Sequence, residues 1–216
     1  MYSYAYLVSA LVFLPIWLVI FILRNDFRKP MFILGLVFAL FGPFTEFFGF
    51  LNNYWNPLAY LSTFQFLVQE IVYIFLVAGA LFFLHPLLFR KKLGHKINLL
   101  RFAIVLFISL ATFFIFTLFS AKDFYGILLG QVPVMIYVWS NRPDLAKVSI
   151  FNFMYGCLLA FCAFTILLYF YPNIVIDWWN TKNLMGIFIH GVPLEEILWL
   201  GFVGAGYGLL PQFIFD

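Results

Sequence analysis

The stretch His190-Gly191-Val192-Pro193-Leu194-Glu195-Glu196-Ile197-Leu198-Trp199 places two adjacent carboxylates in an otherwise apolar run. Glu46 and Glu70 sit in similar surroundings earlier in the chain. A carboxylate near the centre of a bilayer costs about 2.5 to 3.5 kcal/mol on insertion scales, so four of them mark a place where chemistry or transport is expected. The surrounding composition says that the solvent is lipid. The chain is 65% hydrophobic, 23% aromatic and only 10% charged, and its mean hydropathy is +1.04, far from the values of a soluble domain.

A spanning helix needs roughly 20 apolar residues. Seven stretches qualify, at approximately 4–23, 31–51, 59–83, 97–119, 124–140, 148–170 and 185–209. The connections are short, which leaves no room for a large extramembrane catalytic or nucleotide-binding module, and one transmembrane domain over 1–216 is expected. Ten basic residues follow the first, third and fifth stretches (Arg24, Arg28, Lys29, Arg90, Lys91, Lys92, Lys96, Arg101, Arg142, Lys147), against Lys122 and Lys182 on the other side. The bias predicts an N-terminus outside and a C-terminus in the cytoplasm. The net charge of +3 then reflects anchoring to anionic lipid, and nucleic acid is not an expected partner. The first stretch lacks a basic leader and is followed by positive charge, so it reads as an uncleaved span. Cys157 and Cys162 share one stretch with no further Cys or nearby His, and read as packing residues.

Sliding the chain on itself reveals a repeat. Phe13-Leu14-Pro15-Ile16 meets Gln131-Val132-Pro133-Val134, and at the same offset Arg24-Asn25-Asp26-Phe27-Arg28-Lys29 meets Arg142-Pro143-Asp144-Leu145-Ala146-Lys147. After a short insertion Tyr54-Trp55-Asn56 meets Trp178-Trp179-Asn180, and Gln69-Glu70-Ile71-Val72-Tyr73-Ile74 meets Glu195-Glu196-Ile197-Leu198-Trp199-Leu200. The expected fold is therefore all-α, a polytopic bundle of seven transmembrane helices in a parallel 3+1+3 arrangement. Residues 1–96 form the first three-helix unit, 97–119 the linker helix and 120–216 the second unit.

The repeat makes Glu70 and Glu196 equivalent. Each is expected about ten residues below the outer helix end, roughly 15 Å at the helical rise. Gln69 is the counterpart of Glu195, and Glu46 has no acidic equivalent, since the aligned region of the other copy around Leu167 to Phe170 is apolar. No Lys or Arg lies deep in a span except Arg101, near one helix end, so these acids are not all ion-paired. Burial and like-charge proximity favour the protonated form, which suits proton donation. Neighbours on a helix point about 100° apart, so one of Glu195 and Glu196 can face a site while the other faces a neighbouring helix. Pro193 is expected to free backbone carbonyls within that helix. The plain alternatives are interhelical hydrogen bonding for the Glu pair, a hydrated helix end for Glu46, a structural role for His190, and an aromatic belt for Trp55, Trp178 and Trp179. The Arg-x-Asp-x-x-Lys repeat reads as a loop anchor.

These residues resemble a family. Trp55-Asn56-Pro57 with Tyr60-Leu61, then Gln69-Glu70-Ile71, and Pro193-Leu194-Glu195-Glu196 after a Trp-Asn turn are similar to the integral-membrane lycopene cyclase domain family, whose hallmark is a repeated P-x-E-[ED] motif. The first copy, Leu67-Val68-Gln69-Glu70, departs from it in the Pro and the first acid. The resemblance implies a carotenoid cyclase, an isomerase that closes ionone rings on a linear polyene by proton transfer without net redox change. Glu70 and Glu196 are then the acid and base in either order, Glu195 shares or tunes the proton, and Glu46 is a further catalytic candidate. Trp55, Trp179, Tyr73 and Trp199 are candidate walls of the substrate cavity. No metal or other cofactor is expected, and no Gly-rich FAD or NAD fingerprint is present. The expected partners are a hydrophobic polyene and the lipid of the cell membrane, with a homo-oligomer or an assembly with other carotenoid-pathway enzymes compatible with the sequence. The competing class is a small-molecule or proton-coupled carrier with a midplane glutamate site. An intramembrane protease and a retinal protein are disfavoured, by the solitary His190 and by the absence of Lys from 185–210.

Overall fold

The computed structural model describes residues 2, 4–51, 53–57, 61–94, 96–118 and 123–215, with some side chains between 44 and 51 and from 116 to 129 left undescribed. Tyr60 and Lys122, which enter the sequence reading, lie outside the described residues. The long helices are α1 (Ala5–Leu23), α2 (Asn25–Leu51), α3 (Thr63–Leu88), α4 (Leu99–Leu118), α5 (Asp123–Asn141) and α6 (Ala146–Phe170). A short α7 (Ile174–Trp178), a hairpin of β1 (Phe188–Ile189) and β2 (Val192–Pro193), then α8 (Leu194–Tyr207) and α9 (Leu210–Ile214) complete the chain.

Each of the seven apolar stretches contains a helix, and among the described residues four helical segments are long and apolar enough to cross a bilayer: Ala5–Leu23, Thr63–Leu88, Pro143–Phe170 and Leu194–Ile214. The exterior agrees with a lipid solvent. Leu11, Leu40, Phe107, Ile150 and Met154 are each more than 60% exposed, an apolar surface that a protein in water would bury.

The seventh stretch differs from its sequence reading. The expected span over 185–209 begins only at Leu194, because residues 188–193 fold back as a two-stranded hairpin. Its turn residues His190 and Gly191 both take positive φ, 50° and 81°, the geometry of a tight primed hairpin turn. Pro193 therefore precedes the helix as its N-cap and breaks no bond within it. Glu195 and Glu196 lie in the first turn of α8, about 3 Å from its start, whereas Glu70 lies about 10 Å into α3. The expected match in helix depth is not kept.

Packing joins each long helix to its neighbours. α3 packs against α1 and α2, α8 packs against α5 and α6, α4 lies against α5, and α1 crosses onto α6. Small residues let the backbones approach. A Cβ on Gly156 would fall 2.4 Å from the Leu200 carbonyl oxygen, and one on Gly204 would fall 2.5 Å from that of Asn152. Ser149 Oγ donates to Ala205 O at 2.9 Å, and Asn152 Nδ2 donates to Gly208 O at 3.0 Å. This α6–α8 seam joins small residues to short side-chain hydrogen bonds, as membrane helix pairs do.

The aligned motifs make matching contacts. Arg24 grips Asp26 through Nε and Nη2, at 2.8 and 2.6 Å. Arg142 grips Asp144 in the same way, at 2.8 and 2.7 Å. Each arginine then reaches a carbonyl near the end of its unit's third helix, Lys91 O at 2.6 Å and Gln212 O at 3.5 Å. At the other end of the bundle Asn56 N donates to Trp178 O at 2.6 Å and Asn180 N donates to Tyr54 O at 2.9 Å. Residues 54–56 and 178–180 thus touch reciprocally, as the two copies of a two-fold interface do.

Candidate functional site

The reciprocal bridge brings Trp55 against Trp179, ring centroids 5.6 Å apart. Their indoles roof an aromatic cluster into which α1 inserts Tyr6. The Tyr6 ring lies 5.7 to 5.9 Å from those of Trp55, Phe66, Tyr73 and Trp178. Phe66, Glu70 and Tyr73 share one face of α3 by their spacing of four and three residues. Glu70, 2% exposed, therefore points into this cluster and lies beside the Tyr6 phenol. Its Oε2, like Tyr6 Oη and Trp178 Nε1, has no partner of good hydrogen-bond geometry among the described residues.

Glu196 approaches the same cluster from α8. Its Oε1 accepts from Trp179 Nε1 at 2.8 Å and from Tyr54 Oη at 3.1 Å. Tyr54 belongs to the connection after α2, so a residue from the first half of the chain holds an acid of α8. Burial, with the charges of Glu196 and Glu195 beside it, pushes the Tyr54 phenol far above its ordinary value and keeps it a donor. Two donors on one oxygen fix the carboxyl rotamer and leave the other oxygen for a reactant.

Glu195 does not join that group. Buried to 1% exposure, it turns its Oε1 to the backbone N–H of Met185 and ties the segment before the hairpin to the start of α8. Adjacent residues of a helix thus divide the work, one holding backbone and one facing the cluster. His190 stands at the exposed hairpin tip with its ring 6.2 Å from Phe161, away from the acids.

Below the cluster a cleft of about 150 Å³ runs between α2, α3, α4, α5 and α8. Tyr73 and Trp199, equivalent in the repeat, both line it, and Glu46 lines it from α2. Glu70, Glu195, Glu196, Trp55 and Trp179 do not line it. The wall is mostly apolar, with Phe38, Phe41, Phe82 and Phe113 prominent, and Ser109, Gln131 and Tyr207 add polar groups. Tyr73 belongs to both, since it lines the cleft and its ring lies 5.7 Å from that of Tyr6 in the cluster. No three His, Cys, Asp or Glu residues among those described converge as a metal-ligand set.

The sequence reading missed Tyr54 and Tyr6. Tyr54 stood in the aligned Tyr54-Trp55-Asn56 segment, but its bond to Glu196 spans 142 positions and only the fold brings the two together. Tyr6, an aromatic near one end of an apolar stretch, carried no distinguishing signal.

Comparison with known proteins supports a lycopene cyclase domain family. The family model for lycopene cyclase matches residues 123–214. No curated protein and no solved structure matches the chain. The matched stretch runs from α5 through α9 and carries Trp179, Glu195, Glu196 and Trp199. Glu46, Tyr54, Glu70 and Tyr73 lie outside it.

Proposed function

We propose, from the match of residues 123–214 to the lycopene cyclase family model, that this protein is a membrane-embedded carotenoid cyclase closing ionone rings on linear polyene ends. In such a reaction an acid adds a proton to the terminal C=C bond, and the tertiary carbocation so formed is attacked by a second C=C bond to close a six-membered ring. A carboxylate then removes a proton from the carbon beside the new cation. Atoms and electrons are conserved, so the enzyme is an isomerase. Three things are required: a carboxylic acid, a carboxylate, and a dry wall of aromatic faces that tolerates cationic carbon.

The observation that carries this reading is Glu196 held by one indole and one phenol in a cluster of stacked aromatics beside an apolar cleft. Glu70 and Glu196 serve as the acid and base, and Glu195 positions the start of α8. Trp55 and Trp179 close the cluster, while Tyr73 and Trp199 border the polyene. The residues bind and orient a hydrocarbon, exclude water and move protons, with no cofactor in the scheme. A carrier of polar solutes needs a polar path, and the apolar cleft speaks against one.

The architecture we propose with it is seven spans in a parallel 3+1+3 arrangement, N-terminus outside and C-terminus cytoplasmic, in the cell membrane. The paired Arg–Asp grips and the reciprocal bridge support the repeat, and the basic residues of the loops support the orientation. Expression in lycopene-accumulating cells tests the function. Conversion to γ- or β-carotene is expected, and Glu196→Gln abolishes it. Unchanged lycopene at good expression of the wild-type chain would overturn the proposal.

A further inference from the structure

We infer that the cleft between α2, α3, α4, α5 and α8 holds the linear polyene end and that Glu46 is the acid that protonates it, with Tyr73 standing between the cleft and the aromatic cluster. The inference rests on the cyclase reading and assigns its substrate site and proton donor. Glu46 is the one carboxyl among the described residues that lines the cleft. Glu70 and Glu196, the acids that the repeat singles out, stop one helical turn short. Their repeat-equivalent neighbours Tyr73 and Trp199, three residues further along α3 and α8, form the wall instead.

The position of the cleft has a structural reason. In the repeat α1 corresponds to α5, and α6 to α2. α1 packs directly on α6, but among the described residues α2 and α5 make no comparable contact, and α4 lies against α5 there. One member of an equivalent pair of seams is closed and the other is open. Glu46 lies on the open side, and its counterpart region on α6 is apolar. The open seam thus holds a lined cleft, and the acid without a counterpart in the repeat is the acid inside it.

The proton balance closes. The Glu46 carboxyl O–H adds its proton to the terminal C=C bond, the ring-forming C–C bond follows, and the proton lost from the ring carbon returns to the glutamate set. Tyr73 stands in the cleft wall with its ring 5.7 Å from that of Tyr6, which lies beside Glu70, and so borders both the cleft and the cluster. Phe38, Phe41, Phe82 and Phe113 supply faces for the cationic intermediate.

The test uses the full chain in phospholipid nanodiscs loaded with lycopene. Lycopene is achiral and has no visible circular dichroism in lipid, so an induced band reports residence in a protein site, and chromatography reports ring formation. Gly130 lines the cleft, and a Cβ there meets only Thr112 Cγ2, at 3.9 Å, so Gly130→Phe blocks the cleft from within. Ser109→Phe blocks it from another helix. Both variants are expected to lose the induced band. Glu46→Gln is expected to keep the band and lose ring formation by about 100-fold or more, the range of general acid catalysis, with partial recovery in Glu46→Asp.

An induced band that survives both blocking variants, or that is absent from the wild type, overturns the cleft assignment. Ring formation by Glu46→Gln within threefold of wild type, or loss of its band together with its activity, overturns the acid assignment. A wild-type protein that binds lycopene in the cleft but forms no ring overturns the cyclase reading and the acid assignment, leaving the binding site standing.

Discussion

Adding one methyl group at Gly204 tests the packing that positions the site. The ideal Cβ of residue 204 would lie 2.5 Å from Asn152 O and 3.1 Å from Asn152 C. Both are backbone atoms of α6, and neither has a rotamer to yield. Relief requires α6 and α8 to part by several tenths of an ångström, which strains the Asn152 Nδ2 to Gly208 O bond at 3.0 Å. Overpacking of this kind costs about 1 to 3 kcal/mol. At about 2 to 4 °C per kcal/mol for a chain of this size, Gly204→Ala should lower the thermal midpoint by roughly 2 to 12 °C. Gly130→Ala is the matched control, because its Cβ meets nothing closer than 3.9 Å. It removes a helical glycine into open space and should leave the midpoint unchanged or raise it by up to about 1 kcal/mol equivalent. Thermal unfolding of both variants in the same detergent, followed by tryptophan fluorescence, supplies the comparison. Gly204→Ala as stable as Gly130→Ala would refute the close α6–α8 approach.

Further expectations follow from the hydrogen bonds. Replacing both donors to Glu196 (Trp179→Phe with Tyr54→Phe) releases its rotamer, and ring formation should fall about 10- to 100-fold, the scale of losses from misplaced catalytic groups; a double variant at the wild-type rate contradicts the assigned geometry. Glu195→Ala removes the buried acceptor of the Met185 N–H and should destabilise the protein by about 1 to 3 kcal/mol, while Glu195→Gln keeps an acceptor and should behave close to wild type in the same melt. Equal stability of the two would show that the contact to Met185 contributes nothing.

The helices were legible because a lipid solvent imposes long apolar runs: α1, α4, α5 and α6 lie within two residues of the expected bounds, while α2 begins six residues early and α3 is shifted by four to five residues. The seventh departs further, because Met185, Ile187, Phe188 and Ile189 are as apolar as a span although they lead into and form a hairpin. The turn was nonetheless written in His190-Gly191 followed by Pro193. Repeat alignment paired Arg24-Asp26 with Arg142-Asp144, and the structure gives both the same bidentate grip. The acids were readable as a group because each is costly in an apolar run. Their division of labour was not, since Glu195 and Glu196 differ only in which neighbour each turns toward. The prominence of Glu46 depends on the gap between α2 and α5, which no local pattern records. Tyr54 and Glu196 meet only because the two Trp-Asn turns bridge.

The most direct test of proton-initiated cyclisation is ring formation from lycopene by the reconstituted protein in D₂O, with mass spectrometry of the product. The acid exchanges with solvent before it reacts, so the account predicts one deuterium retained per ring closed. Rings formed without deuterium would contradict it.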